Sequence, residues 1–330
     1  MSPRLTLALD QGTLSFPDGG DILVDTPALS FDLTALDAGR VIIRHGFWPD
    51  AEAWAARGYR VTQTRPERVA AAIVALPRAK DQARAMIAAA AACSDGPVIV
   101  DGAKTDGVDS ILKDVRKRCP VYGPVNKAHG KLFWFDADAD LFADWIAKPR
   151  KIDGFTTVPG VFSADGIDPA SRMLLEHLPD NLGPRVADLG AGWGYLAAHL
   201  LRDRPGIETL FSVEADHAAL DCARTNVTDP RAQFIWSDAR IWTPPAPLSS
   251  VVMNPPFHTA RAADPALGQA FIANAARILS GSGRLWLVAN RHLPYEATLT
   301  NLFRDVSELG GDSRFKVLHA QRPKSKKSRA

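Results

Sequence analysis

The chain has 330 residues, of which 46% are hydrophobic and 23% are charged, and its formal net charge is +2. This composition is that of an ordinary globular protein, and the length suits two domains better than one compact core. The longest apolar run, Ala85–Cys93, has nine residues, far fewer than the roughly 20 that a membrane helix needs, so we expect no membrane span.

The first half of the chain alternates short apolar runs with helical periodicity. The patterns predict strands at Val41–Arg44, Arg60–Thr62, Ile73–Leu76 and Pro97–Val100, and helices at Ala79–Cys93 and Val108–Lys117. No glycine-rich loop follows any of these strands. The charged and loop-forming stretch Ala147–Pro159 predicts a boundary between domains spanning residues 1–150 and 151–330.

The second half shows the same alternation more clearly. The patterns predict strands at Arg185–Leu189, Thr209–Val213, Ala232–Trp236, Val251–Met253 and Arg284–Ala289, and helices at Tyr195–Asp203, His217–Asn226 and Pro265–Leu279. Strands that alternate with helices indicate an α/β domain with a parallel sheet covered on both faces. Gly310-Gly311-Asp312 lies between two further β-like runs and predicts an antiparallel hairpin at the sheet edge.

The two halves contain one short pair of similar sequence segments. Ile73–Arg78 resembles Val252–Phe257 with an offset of one residue, and each segment precedes a long helix and an apolar strand. In this comparison Ala75 stands near the position of Asn254. This similarity has two possible explanations. One is an internal duplication whose first copy has lost its catalytic residues, and the other is a chance similarity of two α/β segments.

A glycine turn follows the strand Arg185–Leu189. Gly190, Ala191, Gly192 and Gly194 form a G-x-G-x-G pattern, in which the missing Cβ atoms allow a tight turn and the close approach of a ligand. The spacing is not the G-x-G-x-x-G of dinucleotide-binding folds, and Asp188 beside the turn would repel a pyrophosphate. An acid there suits a cationic amino-acid ligand, and a nicotinamide oxidoreductase is disfavoured.

Two more acids follow the next strands. Glu214 lies 20 residues beyond Gly194, where a carboxylate can accept both hydroxyls of a ribose. Asp238, with Ala239 after it, follows the strand Ala232–Trp236, where a side chain can accept from an adenine amine. Either acid alone is more often a helix cap or a loop charge. Together with Asp188, at successive strand ends, they indicate a nucleoside-binding edge.

Asn254-Pro255-Pro256-Phe257-His258 is the most specific motif in the chain. The two prolines stiffen the loop, so the Asn254 side-chain oxygen and the Pro255 carbonyl can converge on one amine. Such acceptors would localise electron density on a planar amine nitrogen and direct it at a methyl donor. We expect Phe257 to stack on a base that has left its helix.

The C-terminal tail is basic. Residues 322–330 contain five basic residues and no acid, so the first 321 residues carry a net charge of −3. The tail is equally compatible with binding to a polyanion and with a merely solvated terminus. Cys93, Cys119 and Cys222 are far apart and have no metal-ligand spacing, so we expect reduced thiols and no metal. No secretory signal is evident, which predicts a cytoplasmic protein.

On these motifs the chain resembles class I S-adenosylmethionine-dependent methyltransferases, and more narrowly the bacterial rRNA guanine-N2 methyltransferases of the RsmC type. Further matching strings are Pro159-Gly160-Val161-Phe162-Ser163 with Gly166, Ala289–Tyr295 and Arg314–Val317. The match extends from about Pro159 to Leu318, whereas the first half offers little beyond Gly130-Lys131.

The resemblance implies two tandem Rossmann-like class I methyltransferase domains, the second with a seven-stranded sheet that ends in an antiparallel hairpin. It implies that the first domain binds no cofactor and helps to hold RNA. The resemblance further implies S-adenosylmethionine as the cofactor and rRNA or a ribosomal subunit as the partner, and we expect a monomer. 16S rRNA is favoured over 23S rRNA, although the enzymes for both share these strings.

Other readings remain open. The same acceptor motif serves adenine or cytosine amines in DNA and a glutamine side chain in release factors. Phe257 in place of tyrosine and the basic tail favour a nucleic-acid base. A non-catalytic RNA-binding or ribosome-assembly factor with this fold is a further alternative. The intact motif residues argue against it, namely Asp188, Glu214, Asp238 and Asn254.

Overall fold

The computed structural model describes residues 3–256 and 265–324, together with the backbone at 258–259 and 262–263. Phe257, and residues 325–330 of the basic tail, lie outside the described residues. The chain divides into two compact units, Met1–Pro149 and Arg150–Ala330. Among the described helices, none has both the length and the apolar character to cross a bilayer.

The first unit is a seven-stranded sheet with helices. Its elements in chain order are α1 Pro3–Asp10, β1 Ile22–Asp25, β2 Val41–Arg44, α2 Trp48–Ala56, β3 Arg60–Thr62, β4 Ala71–Ala75, α3 Lys80–Cys93, β5 Pro97–Ala103, α4 Val108–Val115, β6 Tyr122–Lys127 and β7 Gly130–Asp136. The strand order is β3-β2-β1-β4-β5-β7-β6. Strands β1 to β5 are parallel, and β6 and β7 add an antiparallel edge.

The second unit has a larger set of elements. In chain order they are β8 Arg150–Ile152, β9 Phe155–Thr157, α5 Pro169–Glu176, β10 Arg185–Leu189, α6 Tyr195–Asp203, β11 Thr209–Glu214, α7 His217–Asn226, β12 Ala232–Trp236, β13 Leu248–Met253, β14 His258–Thr259, β15 Ala262–Ala263, α8 Pro265–Ile278, β16 Leu279–Asn290, α9 Tyr295–Leu302, β17 Phe303–Gly311 and β18 Phe315–Pro323. The main sheet has the order β12-β11-β10-β13-β16-β18-β17.

The predicted α/β fold is confirmed. The two main sheets have the same strand order along the chain, five parallel strands followed by an antiparallel hairpin at one edge. Each sheet has an apolar cluster on either face. The central strand β10 is buried over Val186–Leu189, as expected for a parallel strand covered by helices on both sides.

The strand register of the two sheets gives a different alignment of the two similar segments. Asp25 pairs with Val74 in the first sheet, and Asp188 pairs with Val252 in the second. If these two central aspartates correspond, Leu76 and not Ala75 stands at the position of Asn254. An apolar side chain there has no acceptor oxygen to offer an amine.

Candidate active site

Three neighbouring strand ends form the site in the second unit. β10 lies between β11 and β13, and all three strands are parallel. Leu189 at the end of β10 pairs with Val213 on one side and with Met253 on the other. The glycine turn, Glu214 and the Asn254 loop therefore lie at the same carboxyl edge of the sheet, where open α/β sheets bind their ligands.

The glycine turn uses backbone conformations that favour glycine. Gly190, Gly192 and Gly194 have φ values of 79°, 55° and 89°. The amides of Gly190 and Ala191 donate to the Val213 carbonyl, at 2.8 and 3.1 Å. A Cβ on Gly192 would meet no atom within 4 Å, so the backbone at Gly192 faces open space that a ligand can fill.

Glu214 holds the turn in place. Its Oε2 accepts from the Gly192 amide at 2.8 Å, and its Oε1 accepts from the Asp216 amide at 2.8 Å. Burial raises the pKa of Glu214, although these amides oppose the shift. A carboxylate oxygen has further lone pairs. Glu214 can therefore shape the glycine turn and still accept a hydrogen bond from a ligand hydroxyl.

Asp188 is a buried carboxyl for which the described residues provide no hydrogen-bond partner. The residue is 0% exposed, and neither of its side-chain oxygens is bonded to any part of the chain that the structure describes. Burial raises the pKa of Asp188 to about 8, and the neighbouring Glu214 carboxylate adds to the shift. Buried polar groups are nearly always paired in native proteins. The orphaned carboxyl therefore points to a missing donor, as a ligand with an ammonium group would supply.

Asp238, which the sequence predicts to accept from an adenine amine, is bound to a neighbouring arginine. Its carboxylate accepts from the Arg240 amide at 2.8 Å and forms an ion pair with the Arg240 guanidinium at 2.6 Å. The residue is 6% exposed, and Ala239 beside it packs into the core. An adenine amine would have to use a remaining lone pair of Asp238 or displace Arg240.

The acceptor loop follows β13 directly. Asn254 is half-buried, Pro255 is buried and Pro256 is exposed. The Asn254 Nδ2 donates to Asp168 Oδ2 at 2.8 Å and to Ser171 Oγ at 2.9 Å. Its Oδ1 has no partner among the described residues, so this oxygen is available to accept from an amine, as the sequence predicts.

Several residues that hold this edge of the sheet together were not predicted from the sequence. Asn226 Nδ2 donates to the carbonyls of Thr156 and Trp193, both at 2.8 Å, and so ties β9 to the glycine turn. Trp193 is 3% exposed and donates through Nε1 to the Phe162 carbonyl at 3.0 Å. Asp168 could have been found, because an aspartate before a proline at the start of a periodic run is a helix N-cap signal.

The corresponding edge of the first unit carries different chemistry. Asp25 ends β1 and is 0% exposed, but it forms ion pairs with Arg44, at 2.8 Å, and with Arg65. Burial alone would raise the pKa of Asp25, yet the guanidiniums of Arg65 and Arg44 hold it below its usual value. Thr26, with a φ of 54°, follows in place of a glycine. Arginine side chains satisfy this carboxylate, and no ligand is needed to do so.

Two basic residues of the tail have partners inside the second unit. Arg322 forms a two-bond ion pair with Asp305, at 2.6 and 2.7 Å, and Lys324 Nζ donates to the Thr300 carbonyl at 2.7 Å. Arg322 and Lys324 therefore already have partners within the second unit, and the choice between a polyanion-binding tail and a solvated one rests on residues 325–330, which lie outside the described residues. In the part of the chain that is described, no group of three or more His, Cys, Asp or Glu could hold a metal ion.

The residues at the second sheet edge fit S-adenosylmethionine. The cofactor carries an ammonium group, ribose hydroxyls and an adenine. Asp188 offers an unpaired carboxyl, Gly192 offers backbone beside open space, and Glu214 offers an acceptor at the adjacent strand end.

Comparison with known proteins agrees with this assignment. Residues 153–319 match the family model "Methyltransferase small domain". The chain is 30% identical over 280 residues to the ribosomal RNA large subunit methyltransferase G of Streptomyces avermitilis, covering 78% of this chain and 72% of that protein. It is 29% identical over 262 residues to the ribosomal RNA small subunit methyltransferase C of a Shewanella strain, covering 76% of each.

A solved structure is similar over nearly the whole length. The T. thermophilus 16S rRNA guanine-N2 methyltransferase (RsmC), in complex with AdoMet and guanosine, has a TM-score of 0.76 and 25% identity, covering 97% of this chain and 92% of that one. Fold and site together define a class I S-adenosylmethionine-dependent methyltransferase. The chain belongs to the methyltransferase small domain family.

Proposed function

We propose that this protein transfers a methyl group from S-adenosylmethionine to the exocyclic N2 amine of a guanine in rRNA, and that the rRNA is 16S. The observation that carries the proposal is the position of the Asn254-Pro255-Pro256 loop. It follows β13 immediately beside the glycine turn that follows β10. An amine held by the loop would therefore lie next to a cofactor held by the turn.

The chemistry needs orientation more than acid–base power. When bound, S-adenosylmethionine would supply a methyl group on a positively charged sulfur that can leave with the bonding electron pair. The amine nitrogen forms the new bond to carbon and releases one proton to solvent. Asn254 Oδ1 and the Pro255 carbonyl would each accept a hydrogen bond from one of the two amine N–H groups and so align the nitrogen lone pair. Phe257 would stack on the extruded base.

The choice of 16S rRNA draws on the relatives. Curated relatives carry both the small-subunit and the large-subunit name, whereas the structure similar over 97% of this chain is a 16S rRNA enzyme. Because rRNA is made and modified in the bacterial cytoplasm, we infer that the protein works there. We further propose that it acts as a monomer without a metal.

We propose that the first unit positions RNA and takes no part in chemistry. It has the strand order of the second unit. However, Arg44 and Arg65 form ion pairs with its central carboxylate. If Asp25 corresponds to Asp188, Leu76 stands at the position of Asn254. A fold that keeps its shape while losing both functional groups is suited to binding alone.

The test is mass spectrometry of nucleosides from 16S and 23S rRNA, isolated from cells with and without the protein. We expect one N2-methylguanine to disappear from 16S rRNA, and purified protein with S-adenosylmethionine to restore it. Loss of N2-methylguanine from 23S rRNA would show that the substrate is 23S rRNA and would leave the proposed reaction unchanged. Methylation of DNA adenine or of a release factor would overturn the guanine assignment, and no methyl transfer to any acceptor would favour a non-catalytic assembly factor.

A further inference from the structure

Two side chains outside the acceptor loop hold the amide of Asn254. An asparagine amide nitrogen carries two hydrogens, and here each has an acceptor, Asp168 Oδ2 at 2.8 Å and Ser171 Oγ at 2.9 Å. Both acceptors belong to the first turn of α5, more than 80 positions earlier in the chain. The amide nitrogen of Asn254 is thus fully committed to α5, and its oxygen is the only polar atom of the side chain left for a ligand.

The two acceptors are themselves fixed. Asp168 is the N-cap of α5, and its Oδ2 also accepts from the Ser171 amide at 2.7 Å. Pro169 occupies the first helical position and presets the backbone there. Ser171 is 8% exposed. The start of α5 therefore gives Asn254 a rigid anchor.

The charge of Asp168 selects one orientation of the amide. The oxygen and nitrogen of an asparagine amide are nearly equal in size, so sterics alone would allow either to face α5. A carboxylate only accepts hydrogen bonds, so the reversed amide would place its oxygen against a negative charge. A bond from the amide N–H to a carboxylate also polarises the amide and increases the negative charge on its oxygen.

We propose that Asp168 and Ser171 are positioning residues of the methyl transfer, which lock the Asn254 amide with its oxygen facing the acceptor amine. The inference rests on the proposed role of Asn254 and extends that role to α5. A helix cap by itself would need only one acceptor for the Ser171 amide, a role that serine, threonine and asparagine also fill. The additional bond to Asn254 contributes nothing to capping.

A double-mutant cycle on the full-length protein separates positioning from folding. We expect Asp168→Ala to lower kcat by roughly tenfold to a hundredfold, while the KM values for S-adenosylmethionine and RNA stay within about twofold. In the Asn254→Ala background the same substitution should have no further effect on kcat, because the group through which it acts is gone. A purely structural role would give effects that multiply, and that result would overturn the proposal.

Two conservative variants protect the test against misfolding. Ser171→Ala keeps the helix cap, because the backbone amide still donates to Asp168, yet removes one anchor of Asn254. We expect it to lower kcat several-fold and to lose this effect in the Asn254→Ala background. Asp168→Asn keeps an oxygen for both bonds and should recover part of the turnover lost in Asp168→Ala. Unchanged kcat in both Asp168→Ala and Ser171→Ala would contradict the proposal.

A matched control and the choice of acceptor complete the experiment. Glu176→Ala, at an exposed position on the same helix, should leave kcat and KM unchanged. The cycle is measured on whichever acceptor the wild-type protein methylates. Coupling between Asp168 and Asn254 on an acceptor other than guanine would refute the proposed substrate and support the positioning role. Full turnover in Asn254→Ala would refute the proposed mechanism and the positioning role together.

Discussion

At the scale of single residues, Asp188 links ligand binding to protonation. With its pKa raised to about 8, the carboxyl of the ligand-free protein is mostly protonated at pH 7. A ligand ammonium favours the ionised form, so binding of S-adenosylmethionine should release up to about one proton near pH 7. Calorimetry at pH 7 in two buffers of different ionisation enthalpy measures this release, with the neighbouring Glu214 as the second group that can contribute.

Substitution of Asp188 should abolish that proton release. We expect Asp188→Asn to bind the cofactor poorly and with no proton released, whereas Asp10→Asn, at an exposed position in the first unit, should behave as wild type. Proton release that persists in a cofactor-binding Asp188→Asn protein would assign the titration to Glu214.

The same carboxyl should make the ligand-free protein less stable at alkaline pH. The pKa of Asp188 in the folded protein lies above the ordinary value of 3.8, so between about pH 4 and pH 8 the folded state holds a proton that the unfolded state has lost. The free energy of unfolding therefore falls as the pH rises through that window. Asp188→Asn should be more stable than wild type at pH 8, because the amide never ionises, as measured by urea unfolding without ligand. Equal stabilities at pH 8 would show that solvent reaches Asp188.

At the scale of structural elements, the glycine turn contains two positions with different demands. A Cβ on Gly194 would lie 3.1 Å from Val227 Cγ2 and 3.2 Å from the Ala223 backbone, whereas a Cβ on Gly192 meets open space. Both have positive φ, which costs about 1–2 kcal/mol for alanine. We expect Gly194→Ala to lower the melting temperature more than Gly192→Ala does, as measured by differential scanning calorimetry. Gly192→Ala should weaken cofactor binding more than Gly194→Ala does, as measured by titration calorimetry. The opposite order would place the ligand away from Gly192.

The elements also show what the sequence can and cannot predict. The bounds of β10, α6, α7 and β12 agree with the predicted ones, because each combines clear periodicity with a turn signal at its end. Strand β1, Ile22–Asp25, was not predicted from the sequence. The hairpin of β6 and β7 was also missed.

The site was predictable only where its chemistry is local. Asp188 and the glycine turn are contiguous in sequence, and the Asn254 loop is a compact motif, so both could be identified from their residues. The bonds from Asn254 to Asp168 and Ser171, and from Asn226 to Thr156, join positions 70 or more residues apart. Nothing in the local pattern of either partner specifies the other. Only the folded sheet brings them together.

At the scale of the whole molecule, the two sheets share one topology but differ in their central carboxylates. Asp25 is paired with arginines and Asp188 has no hydrogen-bond partner among the described residues. We therefore expect one S-adenosylmethionine per chain in titration calorimetry. Asp25→Asn should lower stability and leave the stoichiometry at one, because it removes the buried negative charge that pairs with the half-buried Arg44 and Arg65 without touching the second sheet. A stoichiometry near two would show that the first unit also binds the cofactor.

The basic tail is the remaining feature of the whole chain that bears on RNA. Since Arg322 and Lys324 already have partners in the second unit, any phosphate contacts fall to Lys326, Lys327 and Arg329. Each contact with a single-stranded backbone contributes about 0.7 to the slope of log affinity against log salt. Deleting residues 325–330 should therefore reduce that slope by roughly 2 and weaken binding equally for all RNA sequences. Filter binding at salt concentrations from about 50 to about 300 mM measures the slope.

Arg322→Ala, which breaks only the ion pair with Asp305, is the control and should leave the slope unchanged. An unchanged slope after the deletion would show that the tail is a solvated terminus and that the phosphate contacts lie elsewhere.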